Sequence, residues 1–148
     1  MTNKVEHIFK LQTSWSGGRN DSGVIHCENL KTTMSIPREM GGPGLGTNPD
    51  ELLLSAAASC YIISLAAMLE RSSVEARLSL QSDGIVQVEN NIFTYKQIVH
   101  HIGISLSEPS DTNKRIAQRL AVKAEESCMI SKALRGNVEI IVDCKITQ

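Results

Sequence analysis

The residues best suited to do chemistry are four cysteines, Cys27, Cys60, Cys128 and Cys144. No two of them form a Cys-x-x-Cys pair. A thiol attacks only as its thiolate, so its usual pKa of about 8.5 must fall, and a nearby cation lowers it. Arg19 stands in the turn-rich stretch Ser16 to Gly23, where no helix or strand position accounts for a cation. Asp50 precedes Cys60 by ten residues. On a helix, that places it about 80° from the cysteine's direction. Such a carboxylate does not sit beside the sulfur, but it can hold an arginine arriving from another segment. Glu51, nine residues before Cys60, points to the opposite side and is the competing acid. Two acids at a helix start also simply complement its dipole. On periodicity alone, Cys60 and Cys128 fit a packed core equally well, so both readings stay open at this level. Cys144 falls on the apolar side of an alternating strand and reads as a core thiol. Cys27 is taken as structural. His7, His26, His100 and His101 lack zinc-like spacing, and no metal is expected. His100 and His101 occupy opposite strand faces and read as solvated strand histidines.

The elements that must position these residues are legible as punctuation and period. Residues 7–15 and 22–36 read as short strands joined by the turn signal Ser16-Gly17-Gly18-Arg19-Asn20-Asp21-Ser22-Gly23. After Pro37 comes the glycine-rich loop 41–46. It lacks the Lys-Ser/Thr of a phosphate loop and reads as a connector. Thr47 or Asn48 can cap a helix whose first turn holds Pro49, Asp50 and Glu51 and which runs to about Ser72. Two alternating strands follow, Ala76 to Val88 and Ile98 to Leu106, with Asn90-Asn91 as the turn between them. A second helix opens at Pro109 and Ser110-Asp111. Its apolar stripe is Ile116, Ala117, Leu120, Ala121 and Ala124, with Cys128 next in the row. Gly136 stops it, and Val138 to Ile146 form the last strand. The order β-β-β-α-β-β-α-β predicts an α+β fold in a single domain, residues 1–148.

Composition narrows the function. Lys plus Arg number 15 and Asp plus Glu 16, a formal net charge of −1, and aromatic residues make up 3%. Neither a basic nucleic-acid binder nor a base-stacking platform fits those values. Leu52 to Leu69 is an uncharged run of 18 residues, the lower edge of a membrane span. It contains Ser55, Ser59 and Ser64 and is bracketed by Asp50, Glu51, Glu70 and Arg71. A helix buried on nearly all sides within a domain or dimer is the expectation, with no membrane. The N-terminus MTNKVEHIFK shows no secretory pattern, so a reducing cytoplasm is expected. There, paired cysteines are catalytic or redox-active rather than structural.

These residues resemble a known family. Thr47-Asn48-Pro49-Asp50-Glu51-Leu52-Leu53 with Ala56-Ala57-Ala58-Ser59-Cys60 is similar to the first-cysteine motif of the OsmC/Ohr family, the osmotically inducible and organic hydroperoxide resistance proteins. Glu125-Glu126-Ser127-Cys128-Met129-Ile130-Ser131-Lys132-Ala133-Leu134 resembles its second-cysteine motif. Trp15-Ser16-Gly17-Gly18-Arg19, Pro37-Arg38-Glu39-Met40-Gly41-Gly42 and Arg135-Gly136-Asn137 resemble the Ohr branch, whereas Ser131-Lys132-Ala133-Leu134 is closer to the OsmC branch. The chain departs from the pattern twice. Met129 stands where the family usually has proline, and Asp50 stands where it has glutamate, with Glu51 next to it.

The resemblance implies an intertwined homodimer with a long buried central helix and sites built from both subunits. It implies that Arg19 stabilises the Cys60 thiolate and is held by Asp50 or Glu51, with Arg38 as the alternative cation. It also implies a thiol-dependent peroxidase. Cys60 would reduce an organic hydroperoxide, Cys128 would close a Cys60–Cys128 disulfide, and an external dithiol, a lipoylated protein or a small molecule, would recycle it without a cofactor. The rival reading is a non-catalytic dimer that binds an apolar small molecule or senses oxidation without turnover.

Overall fold

In a computed structural model, which describes residues 3–148, the chain divides between Pro49 and Asp50 into two units. The first holds three short antiparallel strands, β1 (Gln12–Ser16), β2 (Ser22–His26) and β3 (Lys31–Met34), in that order across the sheet. The β1–β2 turn closes on itself. The Asp21 carboxylate accepts from the Gly18 N–H at 2.7 Å, and Trp15 Nε1 donates to the Gly18 carbonyl at 3.0 Å. Gly17, at φ +109°, takes a conformation that side chains resist. The expected strand over 7–15 begins only at Gln12, and residues 3–11 form no regular element. The expected run 22–36 is folded in two, with the Cys27 N–H donating to the Leu30 carbonyl at 2.7 Å across the bend.

The second unit contains all but the first residue of α1 (Pro49–Arg71), then β4 (Ala76–Glu89), β5 (Ile92–Leu106), α2 (Asp111–Ser127), α3 (Met129–Leu134) and β6 (Glu139–Thr147). Asn90 and Asn91, at φ 51° and 63°, close the β4–β5 hairpin. Positive φ at both central residues is the mirror-image turn that matches the strands' right-handed twist. β6 then lies parallel to β5, which requires the crossover that α2 and α3 supply.

One face of this sheet carries the core. Ile102, Ile104 and Leu106 of β5 meet Tyr61, Leu65 and Leu69 of α1 and Ala117, Leu120, Ala121 and Ala124 of α2. Each buried Leu or Ile contributes about 1.5–3 kcal/mol. The alanines let α2 approach closely. The Tyr61 hydroxyl donates to the Ala121 carbonyl at 2.8 Å, pinning α1 to α2. Within the chain, α1 buries only the stripe Ala57, Tyr61, Leu65 and Leu69, while Ile63 on its other face is 67% exposed. By length and composition, α1 is the one helix among the described residues able to cross a membrane. Its packed stripe makes it a core helix instead.

The second helix differs from its expected form. α2 stops at Ser127, and Cys128 is extended, at φ −60° and ψ 126°, before α3 starts. The stripe that the sequence continues to Cys128 is therefore broken there. The cause is a second apolar cluster of Ala57, Ile98 and Val138, to which Ile130 and Leu134 of α3 also belong. Those two side chains can join it only if the chain leaves the axis of α2.

Candidate active site

The break at Cys128 is what builds the site. Ile130 and Leu134 pack in one cluster with Leu54 and Ala57 of α1, one turn before Cys60. That contact brings the start of α3 against the middle of α1. A bulge where the β4–β5 register shifts, between Ile85 and Val86, returns Tyr95 to the core face and the same cluster. The Tyr95 hydroxyl then donates to the Asp50 carbonyl at 3.3 Å and fixes the start of α1. Gly84 leaves room for it, since a Cβ there would collide with that hydroxyl.

Cys60 and Cys128 are neighbours whose thiols perturb each other's ionisation. Cys128 is fully buried and Cys60 half-buried. None of the four cysteines takes part in a disulfide. Burial pushes the Cys60 thiol up. The Cys128 thiol, the Ile130 and Met129 backbone N–H groups and the Ser64 hydroxyl outweigh it, so Cys60 falls below the ordinary thiol range. Cys128 moves the other way, raised by its burial and by the hydrogen bond with Cys60. The Ser131 N–H donates to Cys128 Sγ at 3.4 Å. The Ser131 hydroxyl lies beside the same sulfur and biases it toward thiolate, although it makes no well-aligned hydrogen bond. One sulfur is thus disposed to ionise and the other to remain a thiol. That asymmetry suits an attacking and a resolving cysteine.

The remaining site candidates are placed as follows. Arg19 belongs to the first unit. Its guanidinium donates to the Met40 carbonyl at 2.8 Å, the Gly41 carbonyl at 3.3 Å and the Asn20 side chain at 3.0 Å. Asp50 and Glu51 both lie in the first turn of α1. Glu51 is exposed, and its carbonyl accepts from the Ser55 hydroxyl at 2.7 Å. Cys144 packs against the main core, with burial, and then Asp143, raising its thiol. Ser64 was within reach of a sequence argument, being one helical turn after Cys60. The amides of Met129 and Ile130 were not, because only the break at Cys128 frees them.

His100 corrects the expectation of solvated histidines. It is fully buried, stacks on Tyr61 with ring centroids 4.8 Å apart, and its Nδ1 lies 2.7 Å from the Ser82 hydroxyl. His101, on the opposite face, is exposed between Asp83 and Asp143 at 3.1 and 3.0 Å.

Comparison with known proteins shows the family to which the chain belongs. A family model described as OsmC-like protein matches residues 42–143. The chain is 51% identical over 143 residues to the uncharacterized protein YmaD of Bacillus subtilis, covering 95% of each. It is 30% identical over 138 residues to an organic hydroperoxide resistance protein of Xanthomonas axonopodis pv. citri, covering 90% of this chain and 92% of the relative. The crystal structure of an organic hydroperoxide resistance protein OsmC from Legionella pneumophila aligns with a TM-score of 0.77 at 25% identity, over 96% of this chain and 99% of that one. An α+β chain with a paired, asymmetric cysteine site and these relatives belongs to the OsmC-like family.

Proposed function

We propose that this protein is a thiol-dependent peroxidase that reduces organic hydroperoxides to alcohols. The observation that carries the reading is the Cys60–Cys128 pair, in which Cys60 is lowered and Cys128 raised. The Cys60 thiolate attacks the terminal oxygen of the hydroperoxide. The S–O bond forms as the O–O bond breaks, and the departing alkoxide takes a proton to leave as the alcohol. Cys60 is then a sulfenic acid. Cys128 attacks that sulfur, water leaves, and an intramolecular disulfide remains. An external dithiol, a lipoylated protein or a small molecule, reduces it by exchange. Arg19, held by Asp50 or Glu51, adds positive charge near the thiolate in a homodimer whose sites draw on both subunits. The apolar residues of α1 around Cys60 favour a lipophilic hydroperoxide over hydrogen peroxide.

The test is turnover of cumene hydroperoxide with dihydrolipoamide. In Cys60→Ser, turnover falls to the uncatalysed rate, and retained activity refutes the assignment. Cys128→Ser gives one stoichiometric oxidation and then stops. Mass spectrometry of peroxide-treated protein finds a Cys60–Cys128 bridge, and a Cys27–Cys144 bridge contradicts the division of the cysteines. An intact bridge without turnover identifies the oxidation sensor instead.

A further inference from the structure

Between residues 112 and 124, α2 carries four cations, Lys114, Arg115, Arg119 and Lys123, and no acid. At about 100° per residue these four, with Gln118 and Val122, fall on one half of the helix surface. That half lies opposite the buried stripe of Ala117, Leu120, Ala121 and Ala124. Arg115, Arg119 and Lys123 stand four residues apart in a row, and like charges at that spacing weaken a helix. Lys114 ends the first turn, where the dipole disfavours a cation. Among the described residues, none of the four pairs with a carboxylate. Asp111 and Glu126 stand only at the two ends of the face. The arrangement therefore costs the folded chain stability and is offset by nothing inside it. Arg115, Arg119 and Lys123 are exposed, and Val122 among them is 52% exposed. Their side chains line a shallow concave surface.

We propose that this face of α2 is a docking surface for an acidic segment of a partner protein, whose carboxylates pair with Arg115, Arg119 and Lys123 while an aliphatic side chain rests on Val122. Arginine takes a carboxylate through two parallel N–H bonds, so two of the three anchors set orientation as well as attraction. Charge decides the kind of partner. The whole chain stands at −1, so everything outside this face is net negative. A nucleic-acid duplex or an anionic bilayer presses its charge onto that negative surround as well, whereas a short acidic segment meets the face alone. From Lys114 to Lys123 the helix rises about 14 Å, the span of about four residues of extended chain. Attraction between exposed charges at physiological salt reaches about 8 Å, so the surface favours a partner in contact over a polyanion gathered from a distance.

The probe is a fluorescently labelled short peptide of glutamate, aspartate and leucine, with the glutamine, asparagine and leucine peptide as its neutral control. Binding to the full chain is read by fluorescence anisotropy. Carbodiimide coupling, which joins lysine amines to carboxylates in contact, then maps the bound position by mass spectrometry. The acidic peptide binds roughly tenfold more tightly than the neutral one and couples to Lys114 and Lys123. The triple variant Arg115→Gln, Arg119→Gln, Lys123→Gln binds it roughly tenfold more weakly. Removing the same charge at the scattered, exposed Lys10, Lys31 and Lys145, each to glutamine, leaves binding unchanged. Circular dichroism shows α2 intact in both variants, since loss of the like-charge row relieves the helix. The docking surface is refuted if the two triple variants bind alike, or if coupling scatters over all exposed lysines. It is equally refuted if duplex DNA or phosphatidylserine vesicles bind through these residues more tightly than the peptide. A light-scattering mass that falls in the α2 variant alone gives the face to a second copy of the chain instead. None of these readouts uses Cys60 or Cys128, so failure of the peroxidase reading leaves them unchanged.

Discussion

Cys60 has its donors close by in sequence and in space. Ser64 is on the same helix, and Cys128, Met129 and Ile130 lie on the turn packed against it. All belong to the second unit. Two outcomes follow at this scale. Alkylation at neutral pH modifies Cys60 before Cys128 and Cys144, both of which are raised by burial, and a peptide-resolved time course checks the ranking. In Arg19→Gln, the Cys60 profile moves upward but stays below that of Cys144, because the local donors remain. A Cys60 profile coinciding with that of Cys144 assigns the whole effect to the arginine. One departure from the family pattern also acquires a meaning here. Asp50, fixed through its carbonyl by Tyr95, occupies a defined place at the start of α1 despite its shorter side chain.

Strand β5 carries the clearest division of labour among the elements, with His100 on its core face and His101 on its open face. Burial, and then the neighbouring His101, hold His100 below the ordinary imidazole range. Its side chain resists protonation in the folded state and takes a proton near pH 6.5 when unfolded, so the unfolded state binds more protons as the pH drops below that value. His100 therefore withdraws stability as acidity rises. His101 does the reverse. Asp143 and Asp83 raise it, so its contribution is complete below about pH 6.5 and is lost as pH climbs through its folded value. Chemical denaturation of His100→Phe at pH 7 and pH 5 tests this. The loss of stability between the two is smaller than in wild type, because phenylalanine keeps the stack on Tyr61 and cannot be protonated. An unchanged or larger loss refutes it. Neither role was legible in the sequence. Alternation along β5 places the two histidines on opposite faces but does not say which face the helices cover. The Asn90-Asn91 turn and the β4–β5 strands were legible, because their signals are local. The end of α2 was not. Residues 111–134 keep a helical pattern, and only the pull of a distant cluster on Ile130 and Leu134 breaks it at Cys128.

For the whole molecule, the unsettled surface is the outer face of α1. A helix this apolar buries only one stripe within its own chain and leaves Ile63 exposed. It adjoins a concave surface lined by Ile62, Ala66, Val74 and Leu78. A soluble chain rarely leaves so continuous an apolar face in water, and a second copy of the same helix is a self-complementary cover for it. The expected species in solution is a homodimer, so light scattering after size exclusion gives twice the 16.2 kDa chain mass. Ile63→Glu sets like charges against each other across a two-fold contact and shifts the population toward monomer or aggregate, while leaving the inward stripe of Tyr61, Leu65 and Leu69 untouched. If dimerisation also completes the site, peroxidase turnover in Ile63→Glu falls with the dimer fraction and recovers at higher protein concentration. Loss of turnover that ignores concentration separates a local disturbance of α1 near Cys60 from loss of the partner. A wild-type chain that stays at 16.2 kDa across the accessible concentration range removes the partner from the site altogether and leaves the turn at Cys128 to activate Cys60 unaided.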